Sequence, residues 1–275
     1  MRNKEESGQA LLVAVLVMVV VLTVGLAVAS RSITNLRTST EEVNSQKAFS
    51  AAEAGIEYEI NPAPGNSGTR QSLKDLGNNE AVSTKVISVS GHEFLVYNGN
   101  PVAKDDGADI WFSDPTYNNS LSPGYFTLYW GSPADASCSP SAAAVEIIVV
   151  SGASKATAET KRYAVDPCGR ASGFASAGSA GHTIGGHAFG FKTSINSLSN
   201  VFFIRVIPLY ATTGTVFGVN TCSGGSGGSG CTDLPQQGQQ IDATGTAGET
   251  TRKITYFQGP PKIPVELFPA IIFSP

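Results

Sequence analysis

The chain has 275 residues, 41% of them hydrophobic and only 15% charged, with 30 glycines and a formal net charge of -4. Charge this sparse, set against about 25% in ordinary soluble domains, argues for a β-rich exported protein and against a cytosolic enzyme. No basic cluster offsets the acidic balance, so nucleic acid is not expected as a partner.

A short polar leader, residues 1–8, precedes an uncharged run from Ala10 to Ala29 interrupted only by Thr23 and Gly25. Its length matches the roughly 20 residues that cross a bilayer as a helix. Val, Leu and Ala surround the whole circumference, which suits lipid or other apolar helices on every side. The small residues of "AVAS" offer a signal-peptide cleavage point before Ser30. The run is nevertheless longer than the usual hydrophobic core of such a signal, and Glu5 and Glu6 offset Arg2 and Lys4 ahead of it. Arg31 and Arg37 flank the far end as closely, so positive charge does not set the orientation.

The helical pattern continues beyond the run. Between Ser30 and Ile60 the only Gly or Pro is Gly55, and Ile33, Leu36, Thr40 and Val43 fall at helical spacing, as do Phe49, Ala52, Ile56 and Ile60. "NPAPG" then stops it. One helix over residues 9–60, roughly 75 to 80 Å long, is expected. Its apolar face changes phase between Val43 and Phe49, which predicts that an earlier part meets neighbouring helices while the part from Phe49 lies on the protein's own globular region.

The leader ending in Gly8, the immediate apolar run, the continuing helix and "AFSAAEAGIE" at Ala48–Glu57 together resemble type IV pilins and the pseudopilins of type II secretion. The PilX-like minor pilins are the nearest group, with K-type pseudopilins as relatives. The resemblance implies a pilin-like α+β fold and cleavage by a membrane prepilin peptidase between Gly8 and Gln9, followed by methylation of Gln9. It also implies that Ala10, Leu11, Leu12, Val13, Leu16 and Val20 pack against other subunits. The implied partners are other pilins or pseudopilins, the prepilin peptidase, an inner-membrane assembly platform and membrane lipid. Major pilins carry glutamate at the fifth mature position, where this chain has Val13. An intramembrane carboxylate is costly unless paired with a neighbour's terminus, so its absence suits a position, such as a tip, where that pairing is not made.

Beyond residue 60 the period changes to alternation. Runs such as "TKVISVSG", "EFLVYNG", "DIWFSD", "GYFTLYWG", "VEIIVVSG" and "KRYAVD" read as antiparallel strands. They predict a first β module, residues 61–168, packed on the helix. The Gly/Ser-rich residues 169–188 read as a linker or loop, and "NVFFIRVIPLYA" falls in a second module, residues 189–275. Within that module "IDATGTAGETTRKITYF" resembles the I-x-S-x-G turn and following strand of PilX-like chains. It is read as a hairpin with Gly245 and Gly248 supplying the turn. "AIIFSP" at the end is expected to complete a sheet.

Four cysteines permit three pairings. Cys138 with Cys168 and Cys222 with Cys231 is favoured, because the second pair brackets the flexible "SGGSGGSG"; other pairings and free thiols stay open. No catalytic residue, metal site or cofactor emerges. His182 and His187 are spaced for neither one helix face nor one strand face. "KDDGAD" lacks the distal Glu of a calcium loop and reads as a solvated turn. Glu53 and Glu57 read as solvated or as paired with another subunit, and Trp111, Tyr125, Phe126, Tyr129 and Trp130 as sheet core. The expected protein is a minor pilin or pseudopilin without catalysis of its own. It would cross the cytoplasmic membrane once, with its C-terminal region outside, and join a cell-surface filament after assembly. An anchored or secreted β-rich adhesin is the alternative, and an exported enzyme a weaker one.

Overall fold

The computed structural model describes residues 6–60, 70–77, 79–114, 117, 119–223 and 230–260, without the side chains of residues 6–10, 70–73 and 136–137. The class is α+β: one long helix followed by antiparallel sheets. Helix α1 runs unbroken from Glu6 to Ile60, 55 residues. Its hydroxyls turn inward on the helix itself. Thr23 donates to the carbonyl of Val20 at 2.9 Å, and Thr34, Thr38 and Thr40 donate to carbonyls one turn back, so these side chains present little polarity to an apolar surround.

Thirteen strands follow among the described residues. They are β1 (Arg70–Gly77), β2 (Glu80–Gly91), β3 (Glu93–Leu95), β4 (Ala108–Trp111), β5 (Gly124–Trp130), β6 (Ala144–Ser151), β7 (Glu159–Val165), β8 (Gly178–Ile184), β9 (His187–Leu198), β10 (Val201–Leu209), β11 (Phe217–Asn220), β12 (Leu234–Ala247) and β13 (Thr250–Gln258). They form three sheets, ordered β1-β2-β12-β13, β4-β10-β6-β7 and β3-β11-β5-β9-β8. The chain forms two compact units, one built on α1 with Ser72–Thr84 and Ala243–Ile254, the other on Lys85–Asp242 and the end of β13 from Thr255.

In the helix unit, α1 docks through small residues. Ala48, Ala51, Ala52, Gly55 and Ile56 are buried, at the i, i+3, i+4, i+7 spacing of one face. Opposite them stand Ala243, Gly245 and Ala247, which share one face of β12, and Val82 and Thr84 of β2. A Cβ placed on Gly245 would strike the Ala48 carbonyl oxygen and the Ala52 nitrogen. One on Gly55 would meet Val82 Cγ2 at 2.5 Å. At Gly245 the strand and helix backbones touch, because no Cβ separates them. At the end of the face, buried Glu59 accepts a hydrogen bond from Thr84 Oγ1 at 2.8 Å, and Arg252 holds Ser45 Oγ at 2.7 Å from the other side.

In the second unit, two sheets share one core. Phe126, Leu128 and Trp130 of β5 and Phe191 of β9 cluster with Ile147 and Val149 of β6 and Ile204 and Val206 of β10, while Trp130 Nε1 donates to the Ala143 carbonyl at 2.9 Å. A β-bulge between Val201 and Phe203 resets the alternation of β10. Val201 therefore faces the core, whereas Phe202 and Phe203 pack outside it with Trp111. On that outer side Arg205 faces Asp109 across the β10–β4 pairing and makes a two-pronged contact at 2.7 and 2.8 Å. The edge of β4 is closed by Gln237, whose amide accepts the Trp111 N–H at 2.7 Å and donates to the Trp111 carbonyl at 2.8 Å. Borrowing both backbone groups blunts an edge that would otherwise recruit another strand.

Four expectations are corrected. Residues 169–188 are not a linker throughout, since β8 pairs with β9 across them; small side chains disguised a strand. The modules 61–168 and 189–275 do not separate either, because each of the three sheets combines strands from both. Gly245 lies inside β12 and not in the turn, where Gly248 has φ 57°. Phe49 is 47% exposed, because the docking face is the neighbouring row of alanines. Gly245→Val is therefore expected to lower the thermal midpoint of the full chain in detergent, by overpacking worth about 1–3 kcal/mol. Phe49→Ala should stay within about 0.5 kcal/mol of the parent; circular dichroism melts measure both.

Candidate functional site

Among the described residues, the N-terminal half of α1 presents an extended apolar surface that stays exposed. Every large apolar side chain from Leu11 to Val28 is exposed, from 51% at Val20 to 76% at Met18. The most apolar window has a mean hydropathy of 3.2 with none of it buried, on a helix long and apolar enough to cross a membrane. Its length and composition suit a membrane anchor or an export signal. Leu11, Leu12, Val13, Leu16 and Val20 all lie on this surface. Gly8, Gln9 and Ala10 fall within α1, which begins at Glu6, and their side chains are outside the described residues.

The exposed stripe continues through Ile33 and Leu36 into a groove of about 1020 Å³ between α1 and the β12–β13 turn. Arg37, Glu41, Glu249 and Arg252 contribute charge of both signs to its walls. The long helix thus presents three successive surfaces: a purely apolar one, a mixed groove and the alanine face already buried on the sheet. Glu53 and Glu57 lie exposed beside that face, as read from the sequence.

The cysteines pair as favoured, Cys138 with Cys168 across 30 residues and Cys222 with Cys231 across nine. Disulfides fit an oxidising, exported setting. A ring nitrogen of His92 lies near the sulfurs of Cys222 and Cys231, but bridged sulfurs are not thiolates and do not hold a metal. His92 instead meets Asp233 at 2.9 Å. His182 meets Glu93 at 2.9 Å beside the Tyr129 ring. The carboxylates of "KDDGAD" do not converge: Asp105 lies beside Lys104, Asp106 accepts the Gly107 N–H, and Asp109 is buried with Arg205. Burial, together with the Asp109 and Asp106 charges, pushes the Tyr97 phenol up to about 12 against the pull of its backbone bond; it stays neutral and accepts the Asp109 N–H. Of the aromatic set, Phe126 and Trp130 are core, Trp111 and Tyr129 are buried in side clusters and Tyr125 is exposed.

Two carboxylates brace the longer disulfide. Asp135, three residues before Cys138, accepts hydrogen bonds from Ser139, Ser141 and the Ser132 N–H at 2.6 to 2.7 Å. Asp166, two residues before Cys168, is held by Arg170 and by the N–H groups of Cys168 and Arg170. Burial raises both carboxyls, but these bonds outweigh it and hold both below the usual carboxylate range. The alanine docking face and this braced loop were the parts sequence reasoning missed; the alternation of Ala243, Gly245 and Ala247 was the only signal for the first.

A scan of protein-family models and searches of curated proteins and of solved structures find no match to this chain.

Because Asp135 and Asp166 ionise more readily folded than unfolded, their stabilisation is present above the unfolded value of about 3.9 and is lost as pH falls through the lower folded values. The thermal midpoint of the full chain should be level from about pH 7 to 5 and drop below about pH 4. Asp166→Asn should lower it at neutral pH and make the acid drop shallower, as read by calorimetry.

Proposed function

We propose that the protein is a minor pilin or pseudopilin, PilX-like, which acts in the initiation, assembly or surface contact of a type IV pilus or related filament. The observation that carries this reading is one uninterrupted 55-residue helix whose C-terminal part is locked to a sheet while its apolar N-terminal part is left bare. The two short stretches that resemble pilins, "AFSAAEAGIE" and "IDATGTAGE", supply the two sides of that lock.

The physical mechanism is an exchange of surroundings. In the bilayer the Leu11–Val28 surface gains little from other helices, since lipid is as apolar as leucine. Once the span is drawn out into a filament, the same side chains are buried against neighbouring subunits at about 25 cal/mol per Å². A rigid rod fixed at its far end positions that surface reproducibly, and the groove at Arg37 and Arg252 gives each subunit a polar register beside the apolar stripe. Val13 leaves no intramembrane carboxylate to pair with a neighbour, which favours a terminal place in the filament. In this reading the protein performs no chemistry of its own; the peptidase and the assembly platform supply it.

Intact-mass analysis and N-terminal sequencing of the membrane-extracted protein test this. The expected mature chain starts at Gln9 with one added methyl group, and Gly8→Val should leave the leader attached and abolish incorporation into filaments. A start at Ser30 would instead identify a secreted β-rich binding protein, and an uncut chain a plain membrane anchor.

A further inference from the structure

A cleft in the second unit has features that neither filament assembly nor the core accounts for. Three segments converge on it: the loop after β5 with Ser132, Asp135 and Ser141, the start of β9 with His187 and Phe189, and the segment before β11 with Thr213 and Thr215. Its volume is about 310 Å³, the small end of the about 300–1,000 Å³ typical of ligand sites. That suits a single ring and is too small for an extended peptide or a lipid tail.

The polar groups fall into two sets. Asp135 is fixed by Ser132, Ser139 and Ser141 and pinned through Cys138 to Cys168, so it is a preset acceptor. The side chains of His187, Thr213 and Thr215, by contrast, make no hydrogen bond or ion pair among the described residues. Thr215 is the telling member: it is 5% exposed, and its backbone is already paired with Val102, yet its hydroxyl has no partner. That hydroxyl is not sealed from solvent, so it stands free to donate and accept in the cleft its residue lines. Phe189, buried beneath, adds an apolar surface to the floor.

The backbone around the cleft is shaped to keep it open. Gly131 stands at φ 63°, where a Cβ would press on Phe191 at 2.9 Å. The Gly190 N–H donates to the Gly131 carbonyl at 3.0 Å, and a Cβ on Gly190 would strike the Ser132 carbonyl. The walls are therefore preorganised, which lowers the cost of binding.

We propose that this cleft binds a small polyhydroxylated ligand, one sugar ring at the exposed end of a glycan. Each sugar hydroxyl both donates and accepts, which matches a wall of one fixed carboxylate, several hydroxyls and an imidazole, and the ring's C–H face suits Phe189. An anion is disfavoured because Asp135 is the only fixed charge and its pKa is lowered. A metal is disfavoured because a single carboxylate, already engaged by three donors, is a poor cation cage. The inference does not rest on the filament reading: it concerns a unit other than the one that carries α1, and its failure would leave N-terminal processing unaffected.

Saturation-transfer difference NMR tests it on the full chain in a detergent without a sugar headgroup, with free glucose, galactose and N-acetylglucosamine as probes and inorganic phosphate followed by phosphorus line width. At least one sugar is expected to receive saturation at its ring protons, and phosphate to show no broadening. Thr215→Val, which keeps the shape and removes the hydroxyl, should weaken sugar binding about fivefold, the share of one hydrogen bond. His187→Ala, an exposed change that spares the core, should weaken it similarly. Transfer to none of the three sugars, a response to phosphate alone, or undiminished transfer in His187→Ala would overturn the proposal. If Thr215→Val melts below the parent, His187→Ala alone decides.

Discussion

The contact between α1 and β12 is made of backbone against backbone, and the rest of the helix unit depends on it. Gly245 sets the β12 backbone against the Ala48 carbonyl, and Gly55 lets the Val82 side chain of β2 come up to the helix backbone. Close packing of this kind tolerates no added methyl group. The docked row is short, from Ala48 to Glu59. Beyond it the helix simply continues, and among the described residues nothing covers its large apolar side chains from Leu11 to Val28. The exposed apolar surface is thus a direct result of how the helix is anchored.

The second unit solves a different problem, that of an all-β body with little charge to keep it soluble and apart. Its core is shared by two sheets, and one free edge is closed by the Gln237 amide. A buried Arg205–Asp109 pair spans the outer face of another pairing; such pairs add specificity of register as much as stability. The β8–β9 hairpin brings Ile184 and Phe189 over Tyr129, and His182 reaches Glu93 on the opposite edge strand β3. Two disulfides restrain loops outside the sheets. The same hairpin that shields Tyr129 also contributes His187 and Phe189 to the small cleft.

These two arrangements divide the proposed labour. The helix carries an apolar surface and a mixed groove suited to like subunits, and the β body carries a preorganised polar cleft suited to something outside. Under the proposed filament reading, a terminal subunit would have fewer neighbours over its exported part and so leave such a cleft open.

Sequence by itself determined the helix, its length and its apolar half, because an uncharged 20-residue run and a three-to-four-residue period are local signals that no tertiary contact needs to complete. It also reached the strands from β4 to β7, where β-branched and aromatic residues alternate, and both cysteine pairings. Only the tertiary structure decided which face of the helix docks, since alanine rows carry no hydrophobic contrast and Phe49 looked the better anchor. Only the tertiary structure showed that the two supposed modules interleave, because strand order in a sheet is set by long-range pairing and leaves no local trace. The cleft was beyond the sequence for the same reason: Asp135, His187 and Thr215 lie far apart in the chain, and their meeting depends on the fold of three separate loops.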